Sequence, residues 1–117
     1  MRFWDTSGLV PLLLEQETTR EVEELLAQDP DIAAWWGTSV ECRSAAARLR
    51  REEQLTVGEE DQVLELMDVL RASWLEILPS EEVRNIAHRL LRVHALTAAD
   101  ALQLAAAIVW AGSSDRA

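Results

Sequence analysis

Apolar and polar positions follow two rhythms along the chain. Three short runs, 2–6 (RFWDT), 31–38 (DIAAWWGT) and 74–79 (WLEILP), are rich in aliphatic and aromatic side chains. Turn residues bound them, such as Ser7-Gly8 after the first and Gly37 near the end of the second. This pattern predicts strands. The stretches between them repeat with helical spacing. Segment 18–29 turns Val22, Leu25 and Leu26 to one side and stops at Asp29-Pro30; segment 57–73 does the same with Val63, Leu66, Met67 and Leu70. Further helices are predicted over 39–54, 80–94 and 98–112, and a short one over 9–16, with Pro11 fitting its first turn. Strands separated by helices predict an α/β domain: a parallel sheet with helices on both faces, and a reactive crevice at the carboxyl ends of the strands.

Composition narrows the class. The chain has 117 residues, of which 49% are hydrophobic, enough for one globular core. No apolar run is long enough to cross a bilayer, and Asp5 interrupts the start before a secretory signal develops, so no membrane association is expected. Cys42 is the single cysteine, which rules out an internal disulfide and points to the cytoplasm. Eleven basic residues, all arginine, against 21 acidic ones give a net charge of −10. Such a balance opposes nonspecific nucleic-acid binding, which depends on neutralising phosphates. A nucleic-acid substrate would need a local positive surface or a metal ion.

Four threonines stand three residues before an acid at a helix start: Thr18–Glu21, Thr38–Glu41, Thr56–Glu59 and Thr97–Asp100. Each pair can form a capping box, in which each side chain bonds the other residue's backbone N–H. Their settings differ. Glu21 and Glu59 lie among other charges. Asp100 lies in LTAADALQLAAAIVWA, with Gln103, Leu104, Ala107 and Ile108 at the positions it faces. Glu41 lies in TSVECRSAAARL, facing Ser44 and Ala45, and Asp5 is the only charge between Arg2 and Glu15. Three isolated carboxylates thus follow apolar elements of an α/β domain. Brought together they would repel unless a cation sat among them, and hard oxygen ligands suit Mg²⁺ or Mn²⁺.

On these segments the chain resembles a family. FWDTSGLVPLLL, TSVECRSAAARL and LTAADALQLAAA look like the three signature segments of PIN-domain nucleases, most closely the VapC-type toxins of type II toxin–antitoxin systems. The resemblance implies a single PIN-like domain over 1–117, a three-layer α/β/α sandwich around a parallel sheet. It implies an endoribonuclease dependent on Mg²⁺ or Mn²⁺, acting on transfer or ribosomal RNA, blocked by a cognate antitoxin and forming homodimers. Asp5, Glu41 and Asp100 match the metal-binding, catalytic acids; Thr6 and Ser7 match supporting polar residues beside the first. Family members generally continue into a further strand ending in a fourth acid. This sequence ends at AGSSDRA, where Asp115 stands too early to match, and the expectation is either a chain truncated before its C-terminal strand or a shortened member of the family. The family also often has His where Gln103 stands. The missing final strand, not the minor change at Gln103, motivates an alternative: a catalytically impaired PIN-like binding or assembly module whose exposed apolar edge a partner could cover.

Arg43 and Arg48, on the helix that carries Glu41, are the candidate RNA contacts; Arg50 and Arg51 read as a solvated surface. Other chemistry is weaker. His88 and His94 are six residues apart and about 120° off a shared helix face, a poor metal pair. Cys42 has no neighbouring His and reads as a small buried side chain. The five tryptophans read as core or interface. DTSG occurs once, whereas an aspartic-protease site needs two facing aspartates.

Overall fold

The computed structural model describes residues 1–114; Asp115 lies outside them. The elements run β1 (Arg2–Phe3), α1 (Thr6–Leu13), α2 (Thr19–Gln28), β2 (Ile32–Trp35), α3 (Thr38–Arg51), α4 (Val57–Ser73), β3 (Leu75–Ile77), α5 (Glu81–Val93) and α6 (Ala98–Ser114). The strands form one sheet in the order β1-β2-β3, parallel throughout, with Arg2 opposite Ile32 and Ala33 opposite Leu75. The central strand is buried at all four positions. Its unbroken apolar run, IAAW, is what a parallel strand covered on both faces requires.

Two clusters fill the faces of the sheet. On one, Ile32 and Ala34 meet Trp4, Leu9, Cys42, Met67 and Trp74 under α1, α3 and α4. On the other, Trp35 meets Val83, Ala87, Ala101, Ala105 and Ala106 under α5 and α6. The alternation of Ile32 and Ala34 against Trp35 is the period-two rhythm of a strand. Leu9 and Met67 are each 1% exposed, and full burial of such a side chain is worth roughly 1.5–3 kcal/mol. The alanines of α6 leave no bulk between helix and sheet, so α6 lies close to β2 and carries Asp100 and Gln103 toward the strand ends.

The strands are shorter than the apolar runs that announce them. Residues 2–6 do not all extend: backbone pairing continues to Trp4, whose N–H donates to the Ala33 carbonyl at 2.8 Å, and the chain then turns into α1 at Thr6. Asp5 is the N-cap of that helix, which displaces the expected start at residue 9. Pro11 is therefore the sixth residue of α1, past its first turn, and lacks the N–H that would reach the Ser7 carbonyl. The helix stops two residues later. Buried Thr19 ties off the connection to α2: its hydroxyl donates to the Pro11 carbonyl at 2.7 Å and accepts from the Gln16 N–H at 2.8 Å.

Helix α3 ends in a left-handed residue, Glu53, with φ 61°. The Gln54 N–H reaches back to the Leu49 carbonyl (2.8 Å) and the Glu53 N–H to the Arg50 carbonyl (3.0 Å). These are the two bonds of a Schellman stop, here made without glycine. Among the described residues, no helix is long and apolar enough to cross a membrane.

Candidate functional site

The parallel strands set where the next elements begin. The chain leaves β1 and caps α1 with Asp5; it leaves β2, turns at Gly37 and enters α3, whose first turn carries Glu41. Helix α6 packs against β2 and brings Asp100 and Gln103 in its first two turns. All four residues line one open cleft of about 980 Å³, together with Thr6 and Ser7. Residues separated by as many as 98 positions, Asp5 and Gln103, thus share one wall.

Asp5 is oriented by its own helix start. Its Oδ1 accepts from the Gly8 N–H at 2.8 Å and from the Ser7 hydroxyl at 3.0 Å. A Cβ on Gly8 would stand 3.2 Å from that oxygen and 3.3 Å from Trp4 Cε3, so the absence of a side chain lets the helix start close over both. Glu41 is held from two sides: Oε2 accepts from the Thr6 hydroxyl at 3.1 Å and from Gln103 Nε2 at 2.7 Å. Asp100 is exposed. Its N–H donates to Thr97 Oγ1 at 3.1 Å, while its carboxylate bonds no other described residue. No arginine pairs with any of the three: among the described residues the ion pairs are Met1–Asp29, Arg43–Asp68, Arg50–Glu60 and Arg84–Glu81.

Each acid accordingly keeps at least one oxygen free of hydrogen bonds, which fits a hard, hydrated cation. The three do not form a ready-made cage: among the described residues, no three His, Cys, Asp or Glu side chains are arranged to hold one ion together. The expected convergence of Asp5, Glu41 and Asp100 is a shared cleft, wider than a joint chelate. Mg²⁺ tolerates this arrangement, because it is commonly held by one or two carboxylates and keeps several waters.

The arginines divide. Arg48 lines the cleft. Arg43 turns to α4, where it pairs with Asp68 at 2.7 Å, and it does not line the cleft; the α4 surface that faces α3 supplies the acid that draws it away. Arg50 pairs with Glu60 at 2.7 Å. His88 and His94 are both exposed on α5 and its C-cap. Trp4, Trp35 and Trp74 are core, and Trp36 is half exposed.

Two contributors are not evident in the sequence as site residues. Gln103, 8% exposed, lies within 2.8 Å of Thr6 Oγ1 and 2.7 Å of both Thr38 Oγ1 and Glu41 Oε2 through its amide nitrogen. Its amide oxygen is buried with no partner, an omission that costs roughly 1–3 kcal/mol. Thr38 is fully buried and faces Gln103 instead of capping α3, where no side-chain cap is formed. The available signal is the single amide in a 98–112 stretch that is apolar apart from it and Asp100, one turn before it.

Comparison with models of known protein families finds no match, and comparison with curated proteins finds none either.

Proposed function

We propose that the protein is a PIN-type endoribonuclease, similar to VapC-type toxins, that hydrolyses RNA phosphodiester bonds with Mg²⁺ or Mn²⁺. One observation carries the reading. Asp5, Glu41 and Asp100, from three separate segments, line one cleft at the strand ends, and among the described residues no arginine forms an ion pair with them. On this reading the helices on both faces of the parallel sheet are the layers of a PIN-like sandwich. The resemblance of the three segments adds transfer or ribosomal RNA as substrate, a cognate antitoxin and a second copy of the chain as partners, and a cytoplasmic setting.

When bound, the metal would supply an activated water and charge neutralisation at the scissile phosphate. The rest is the work of the chain. Ser7 and the Gly8 N–H fix Asp5 with Oδ1 engaged and Oδ2 open. Thr6 and Gln103 fix Glu41 through Oε2 and leave Oε1 open. Exposed Asp100 completes the acidic wall. Arg48, and Arg2 on the same lining, offer positive charge to flanking phosphates in a chain that is otherwise strongly acidic.

Replacing Asp5 tests this directly. Asn caps a helix about as well as Asp, so Asp5→Asn leaves α1 intact. Its expected effect on RNA cleavage in Mg²⁺ or Mn²⁺ exceeds the roughly 10–100-fold typical of losing a group that merely supports a metal ligand. Undiminished cleavage by Asp5→Asn overturns the assignment.

A second reading, an impaired PIN-like binding or assembly module, draws on Leu25 and Leu104. Both line the same cleft, 38% and 42% exposed, and give it an apolar wall beside the acidic one. RNA bound without cleavage in either metal would favour this module over the nuclease.

A further inference from the structure

We infer that Gln103 is a positioning residue that holds Glu41 in a metal-ready orientation and locks together the three helix starts of the cleft. The inference rests on the nuclease reading above. Three observations carry it.

The first is where the amide reaches. From α6, Gln103 Nε2 touches Thr6 at the start of α1 (2.8 Å) and Thr38 and Glu41 in the first turn of α3 (both 2.7 Å). One neutral side chain joins every element that contributes an acid. The second is stoichiometry. An amide nitrogen has two hydrogens, and here three acceptors surround it. The Thr6 hydroxyl turns its own hydrogen to Glu41 Oε2 at 3.1 Å, so it faces Gln103 with a lone pair. The carboxylate thus receives two convergent donors on one oxygen.

The third is the buried Oε1 with no partner. Turned over, the amide would give Oε1 the threonine hydroxyls as donors but set it 2.7 Å from a carboxylate oxygen, acceptor against acceptor. The Glu41 charge therefore selects the orientation that leaves Oε1 unsatisfied. The arrangement favours the carboxylate over the amide's own bonding, as expected of a group whose task is to aim Glu41. A neutral donor suits that task, since a cation at 103 would compete with the metal. Asp100 lies one turn before Gln103 on α6, so the same anchor fixes the helix from which Asp100 projects.

The test measures Mn²⁺ binding, read from the free ion by electron paramagnetic resonance, together with thermal melting and RNA cleavage. Wild type, Asp5→Asn, Gln103→Leu and Gln103→His are compared; histidine keeps a neutral N–H donor. The expected result is tight binding by wild type and loss in Asp5→Asn. Gln103→Leu should need roughly 10–100-fold more Mn²⁺ for half-saturation, and for half-maximal cleavage, with Gln103→His restoring most of the affinity. A merely structural role would lower the melting temperature and leave the Mn²⁺ half-saturation of the folded protein unmoved. Equal binding by wild type and Gln103→Leu overturns the positioning role and spares the nuclease reading. Absence of Mn²⁺ binding by wild type overturns both. Should Gln103→Leu not fold, the metal-free wild type decides by NMR. The Gln103 side-chain N–H₂ resonances should shift on Glu41→Ala more than those of the other glutamines, and an equal response rejects the inference.

Discussion

Cys42 stands next to Glu41 in the chain yet faces the core, 3% exposed, under α3. Burial, and secondly the Glu41 charge, push its thiol from 9.0 up to about 11. The group binds its proton more tightly when folded than when unfolded. Its contribution to stability is therefore complete below about pH 9 and is lost as pH rises toward 11, on the order of 2–3 kcal/mol in all. Wild type should lose this increment across that window, and Cys42→Ala should not, as urea unfolding at a series of pH values would record. Alkylation by iodoacetamide at neutral pH should be slow, with RNA cleavage unaffected by Cys42→Ala; fast native labelling would contradict the buried, protonated thiol. Asp5, Glu41 and Asp100 stand out in the sequence because each is an isolated carboxylate in an apolar stretch, although Asp5 and Asp100 prove to be exposed. Gln103 does not, since its partners lie 97, 65 and 62 residues away and nothing local marks them.

Helix starts separate local sequence from tertiary context. Four threonine–acid pairs share one spacing, yet the structure uses them differently. Thr56 and Glu59 exchange both bonds of a capping box. Thr18 makes no side-chain cap, the Thr38 hydroxyl accepts from Gln103 Nε2, and Thr97 accepts from the Asp100 N–H. Thr56→Ala should accordingly cost about 1 kcal/mol, a fall in Tm of about 4 °C, whereas Thr18→Ala should change little. Calorimetry on the two variants checks the contrast, and equal losses would refute it. The helical bounds were legible to within a few residues where the period was clean: α4 runs from Val57 to Ser73 as expected. Ser7-Gly8 has the composition of a turn, so the sequence pattern starts the first helix at residue 9, three residues after its observed start at Thr6. With the Asp5 side chain accepting the Gly8 N–H, the same residues open a helix.

At the scale of the molecule, charge dominates. A net charge of −10 on a single small domain opposes compaction, and the cleft concentrates part of it. Raising NaCl from about 10 mM to about 300 mM should raise Tm by screening this repulsion. MgCl₂ at matched ionic strength should raise it further in wild type and not in Asp5→Asn, because only a bound ion adds to the native state by mass action. Identical responses to the two salts would argue against a metal in the cleft. The layered architecture was visible in the sequence because a buried parallel strand and an amphipathic helix have different periods. The width of the cleft was not, since it follows from how far apart three helices begin.

Trp4 occupies the last paired backbone position before Asp5, and its indole packs where a Gly8 side chain would be, within the same cleft lining. The ring is dry, its N–H sealed from solvent. An ion with unpaired electrons held by Asp5 would share the cleft lining with this ring and should quench its fluorescence. On the proposed reading, quenching of Trp4 by such an ion would report that the cleft is filled, and a Trp4→Phe exchange would remove that part of the signal.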